Sequence, residues 1–195
     1  MKRSSGNDTS ISPQYKISNW IEARDGLNWR IMIDIFEDRM KGRFLKPIEL
    51  IASDKGIGKF SGFAILALDC LLIETLHQFY DETVGEHREA FWNFFKSSKH
   101  FTDSFSREKA FVFYSHFRCG LLHQAQTKKG SLVKVGKRPM IASISKEVED
   151  GLIVNREKFH AAIKMEIESY KESLSNGDEV LRSRFIKKMN FICDC

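Results

Sequence analysis

Arg118 and His123 stand five residues apart in Phe117-Arg118-Cys119-Gly120-Leu121-Leu122-His123, near the end of a strongly helical segment. A guanidinium is charged at every working pH, and an imidazole titrates near neutrality. Phosphodiester cleavage without a metal needs these two groups, one to hold the phosphate and one to move a proton. The surroundings suit a polyanion. Between Lys109 and Lys146 there is no Asp or Glu, while Lys109, Arg118, Lys128, Lys129, Lys134, Lys137, Arg138 and Lys146 carry eight positive charges. The whole chain carries only +5, so the remainder is net negative. Positive charge gathered around the pair favours a polyanionic partner.

On an ideal helix five residues turn the chain by about 500°, leaving Arg118 and His123 about 140° apart. The pair is therefore not expected to share a face. His123 aligns with His116, Cys119 and Gly120, whereas Arg118 falls in the apolar arc of Phe111, Tyr114, Leu121, Leu122 and Ala125. A guanidinium in that arc is costly unless a carboxylate or phosphate meets it. Asp69 and Glu74 are carboxylates in an otherwise apolar helix, so one of them is expected to hold Arg118.

The elements that must position these groups follow from periodicity. Residues 1–17 read as a flexible polar arm. Trp20, Ala23, Leu27, Ile31 and Ile35 predict one amphipathic helix over about 18–40. A short helix around Pro47–Ile51 and a turn at Asp54–Gly58 come next. Phe60–Tyr80 is apolar nearly all round and predicts a buried central helix. Glu86–Ser98 and Ser106 to about Gln126 predict two more, the latter capped by Ser106. Residues 139–155 read as a β-hairpin turning at Glu149-Asp150-Gly151. Asn155 caps a helix through Leu174, and a basic helix over about 179–192 closes the chain. The expected class is all-α, with residues 18–195 as a single helical domain carrying a small hairpin insertion.

Arg118-Cys-Gly-Leu-Leu-His123, late in the third main helix, resembles the HEPN superfamily, whose motif is an Arg, four to six residues, then a His. The resemblance extends loosely over residues 18–175. It implies a four-helix bundle with additional helices. It also implies a homodimer in which two Arg–His pairs face each other across a two-fold axis, letting both protomers line one cleft. The implied activity is metal-independent endoribonuclease cleavage, with no cofactor. The RNA 2′-hydroxyl attacks the adjacent phosphorus and leaves 2′,3′-cyclic phosphate and 5′-hydroxyl ends. His123 moves the proton, and Arg118 stabilises charge on the phosphate. Lys128, Lys129, Lys134, Lys137 and Arg138 grip the flanking backbone of a tRNA or mRNA. An antitoxin or phage-defence partner is implied in the same way. The alternative is a non-catalytic dimer that binds RNA, a nucleotide or a partner protein. Many members carry a polar residue after the Arg where this chain has Cys119, and Ala125 stands where some carry a modified Tyr.

Other signals have plainer readings. His116, Cys119 and His123 repeat at ligand spacing, but tetrahedral zinc needs a further ligand that nothing nearby nominates, so an interface stripe is expected and no metal. Gly56-Ile57-Gly58-Lys59 precedes a helix, yet lacks P-loop spacing and reads as an interhelix turn. The block Phe91–Phe95 reads as core and dimer contact rather than as a base-stacking surface, and His77 reads as structural. Four Cys without disulfide-framework spacing favour a reducing compartment. A polar start without an apolar h-region and an apolar run of only Gly62–Ile73 predict a cytoplasmic protein with no membrane partner.

Overall fold

Side-chain caps mark where the helices begin. Asn28 Oδ1 accepts from Ile31 N, Ser106 Oγ from Lys109 N, and Asp178 Oδ1 from Leu181 N. Asn155 Oδ1 accepts from both Glu157 N and Lys158 N. Each satisfies a donor that the first helical turn leaves without a partner. The computed structural model describes residues 8–81, 87–144 and 151–195.

The helices are α1 (Ile17–Asp25), α2 (Trp29–Met40), α3 (Lys46–Ser53), α4 (Gly62–Tyr80), α5 (His87–Ser97), α6 (Arg107–Phe113), α7 (Cys119–Gln124), α8 (Arg156–Ser175) and α9 (Glu179–Cys193). Three short strands lie between α7 and α8: β1 (Leu132–Lys134), β2 (Ile141–Ile144) and β3 (Gly151–Asn155). The fold is thus mostly helical with a small sheet, in line with the expected helical class carrying a small β insertion. The chain divides into two compact units, Met1–Pro47 with Ser169–Cys195, and Ile48–Glu168.

In the first unit the helix expected over 18–40 is broken. Leu27 takes a left-handed conformation (φ 52°), and Asn28 restarts the helix as α2. Trp20, Phe36, Tyr170 and Phe185 form the core, with ring centroids 5.3–6.5 Å apart. Trp20 Nε1 donates to Asn190 Oδ1 at 2.9 Å. The reading of residues 1–17 as a flexible arm fails from Asp8 onward. Ile11 and Ser12 are buried, Arg39 Nη1 donates to Ile11 O, and Arg43 Nη2 donates to Ser10 O.

In the second unit α4 is the central helix. Ile65, Leu66, Cys70, Leu72, Ile73, Leu76 and Phe79 are all buried. By length and composition α4 could cross a bilayer, since the apolar run sits inside a 19-residue helix; here it is the core of its unit. Phe91, Phe95, Phe101, Phe105, Phe113 and Phe159 pack together, Phe95 and Phe105 stacking at 3.8 Å. The aromatic block is therefore core. In the sheet β3 is central, parallel to β1 and antiparallel to β2. The hairpin reading captured β2 and β3 but missed β1. Gly151 pairs with Ile144 inside the sheet, so it is not a turn residue. The strand expected through Val148 and the turn at Glu149-Asp150 lie outside the described residues, as does Lys146.

Candidate active site

The motif helix is not α-helical throughout. Between α6 and α7, Tyr114–Arg118 form a π-helical turn, closed by Cys119 N donating to Tyr114 O. One such turn inserts an extra residue and shifts the hydrogen-bond ladder, a feature frequent at functional sites. The loop that follows closes back on the helix. Lys128 N donates to His116 O at 3.1 Å, and Gln126 N to Gly120 O at 3.3 Å. Gly120 permits this approach, because a Cβ there would lie 2.4 Å from Gln126 O. Ala125, left-handed at φ 52°, ends α7 and starts the return.

Arg118 is mostly buried, and its Nε donates to Glu74 Oε1 on α4 at 2.6 Å. Glu74 is the carboxylate that meets the guanidinium in the apolar arc. This hydrogen bond holds the guanidinium above its already high usual pKa, with burial opposing it. The far end of the same side chain reaches His123, with Nη1 3.3 Å from Nε2. The 140° separation is bridged by side-chain length, so the pair meets within one chain and needs no second protomer to do so. Arginine only donates, so a hydrogen bond in this contact has His123 Nε2 as its acceptor.

Tyr114 lies beneath the pair, its ring centroid 5.6 Å from Arg118 Cζ. Burial, and then a hydrogen bond with Cys119, raise the Tyr114 hydroxyl above its usual value. The position after the Arg is thus occupied by a thiol bonded to a phenol. Burial, with Asp69 and Glu74 adding to it, pushes the nearby Cys70 thiol well up. Tyr114 was missed as a site residue, although its position four before Arg118 was the available signal.

Asp69, the other carboxylate expected near Arg118, does not reach it. It is fully buried and its Oδ1 lies 2.8 Å from His160 Nδ1 on α8. His116 also stands apart from the pair. It is buried, and its Nδ1 meets Ser131 Oγ at 3.0 Å, tying the helix to the loop before β1. Since His116 faces Ser131 while His123 faces Arg118, the stripe does not converge. Among the described residues no three His, Cys, Asp or Glu side chains are grouped as metal ligands.

The basic residues fall into two sets. Lys128, half-buried, packs its chain against Gly120, and Lys129 beside it is exposed. Lys134 ends β1, and Lys137 and Arg138 lie exposed in the loop to β2. Asn155 Nδ2 holds that loop, donating to Gly136 O and Arg138 O at 2.9 and 3.1 Å.

Comparison with protein-family models, with curated proteins and with solved structures gives no match. The functional reading therefore rests on the geometry of these residues.

Proposed function

We propose that this chain is a HEPN-like, metal-independent endoribonuclease with Arg118 and His123 as its catalytic residues. The observation that carries the reading is the 3.3 Å contact between Arg118 Nη1 and His123 Nε2, with the guanidinium aimed by Glu74. An arriving phosphodiester competes for the terminal guanidinium nitrogens, since its oxygens accept charge-assisted hydrogen bonds more strongly than an imidazole does. That transfer frees the Nε2 lone pair for the RNA 2′-hydroxyl. His123 takes the hydroxyl proton as the 2′-oxygen bonds to phosphorus, and the bond to the 5′-oxygen breaks. The proton then returns to the departing 5′-oxygen. Arg118 stabilises the negative charge on the non-bridging oxygens in between.

In this reading Cys119 and Tyr114 support the guanidinium, and His116 fixes the loop that carries Lys128 and Lys129. The exposed cations Lys129, Lys134, Lys137 and Arg138 hold flanking phosphates. The HEPN bundle, a homodimer with two such pairs across a two-fold axis, and a cytoplasmic toxin or phage-defence setting with an antitoxin belong to the same proposal. No cofactor enters any step. The test is incubation of total RNA and tRNA with the purified protein in EDTA. Cleavage by wild type and its loss in His123→Ala and Arg118→Ala support the reading. RNA binding without cleavage by a folded protein would instead select a binding module.

A further inference from the structure

The turn Gly56-Ile57-Gly58-Lys59 meets two other features of its unit. Arg156 Nη2 donates to Gly58 O at 2.6 Å. Arg156 is only 8% exposed, and its Nη1 is buried with no hydrogen-bond partner. A Cβ on Gly62, the first residue of α4, would lie 3.5 Å from that Nη1 and 3.1 Å from Val133 Cγ1. The unused donor therefore sits at the N-terminal end of a 19-residue helix.

That end lacks its usual compensation. Ser61 makes no side-chain cap, because its Oγ donates to Ile57 O at 2.9 Å, and the first turn contains no acidic residue. The first-turn N–H groups, which have no partner within the helix, the positive end of its dipole and a buried guanidinium with an idle donor all lie at this end of α4. A buried guanidinium nitrogen without a partner calls for an acceptor. The basic loop is strung beside the same place. Lys134 pairs in register with Asn155, the residue before Arg156, and Asn155 holds the carbonyls of Gly136 and Arg138. Next to it, Phe60 is 77% exposed, with Lys59 Nζ 4.7 Å from its ring centroid.

We propose that the N-terminus of α4, together with Arg156, is a phosphate-binding site that takes the phosphate of a nucleotide or of an RNA strand. The anion accepts from Arg156 Nη1 and from the first N–H groups of α4. Even a Cβ on Gly62 would meet Val133 Cγ1 at 3.1 Å, so entry of the anion requires Val133 to move aside. Lys59 flanks the anion, and the exposed Phe60 ring offers a face to a base. Gly62 and Glu74 are twelve residues apart along α4, about 18 Å. This site is thus distinct from the Arg118–His123 pair and stands whether or not that pair cuts RNA.

The test uses the full chain and three probes: inorganic phosphate, ADP, and an oligoribonucleotide with 2′-O-methyl groups, which lacks the attacking hydroxyl. Melting temperature and affinity are compared with chloride controls of equal ionic strength. Gly62→Ala sets a methyl against Val133 and Arg156 Nη1, while Lys59→Ala alters only an exposed side chain. The expected result is probe-dependent stabilisation of wild type, with binding at least tenfold weaker in Gly62→Ala and weaker in Lys59→Ala. Dependence seen with phosphate or ADP assigns the site to free nucleotides; dependence seen with the oligonucleotide alone assigns it to the RNA backbone. Binding of all three probes unchanged by both substitutions would overturn the proposal. Cleavage lost only in His123→Ala reports on the other site, so the two failures are distinguishable.

Discussion

Arg118 Nε donates to Glu74 Oε1 at 2.6 Å, so a carboxylate on the core helix sets the direction of a guanidinium whose far end meets His123. Both side chains are largely buried. Glu74→Gln keeps an acceptor but removes the charge, leaving Arg118 less well held. The expected loss is about 1–3 kcal/mol of stability by urea denaturation. RNA cleavage should fall by up to about 100-fold as the guanidinium loses its aim. Unchanged stability and cleavage in this variant would refute the aiming role.

Asp69 gives a pH dependence with a definite sign. Burial raises its carboxyl above the ordinary 3.8, and the His160 hydrogen bond only partly opposes this. A group whose folded pKa is raised contributes stability that is complete below its unfolded pKa and lost as pH rises through the folded value. Asp69→Asn, which cannot ionise, should therefore gain on wild type as pH is raised from about 4 towards neutrality. Denaturation curves at a series of pH values measure this, and a difference that shrinks with rising pH would contradict it.

The return of the chain after α7 depends on two small residues with opposite needs. A Cβ on Gly120 would meet Gln126 O at 2.4 Å, so Gly120→Ala should cost about 1–3 kcal/mol and displace Lys128. Ala125 already strains at φ 52°, so Ala125→Gly should stabilise by about 0.5–1 kcal/mol. Chemical denaturation of both variants checks the pair of signs.

These details show what the sequence revealed and what it hid. Helix positions were legible because apolar spacing and caps such as Ser106 and Asn155 are local. Glu74 was legible as a partner because a carboxylate in an apolar helix must be compensated. Its neighbour Asp69 carried the same signal, but only the packing of α8 decides that His160 meets it. The break at Leu27 and the π-helical turn at Tyr114–Arg118 leave no mark in hydrophobic periodicity. β1 is three residues long and includes Lys134, too little alternation to read. Arg156 gave no signal, because its interest lies in a donor that tertiary packing leaves without a partner.

The basic loop predicts a salt signature. Binding of a 2′-O-methyl oligoribonucleotide to His123→Ala protein should weaken linearly in log–log form as salt rises. Lys134→Ala, Lys137→Ala and Arg138→Ala should each flatten that slope by about 0.7, the value for one lost phosphate contact on a single strand. Equal slopes in all variants would place the RNA elsewhere.

The most direct test of the Arg118–His123 mechanism is the chemistry of the RNA ends left by the purified protein in EDTA. Wild type should leave 2′,3′-cyclic phosphate and 5′-hydroxyl ends, and His123→Ala should leave none above the protein-free control. Ends of 3′-hydroxyl and 5′-phosphate, or equal cleavage by His123→Ala, would contradict it.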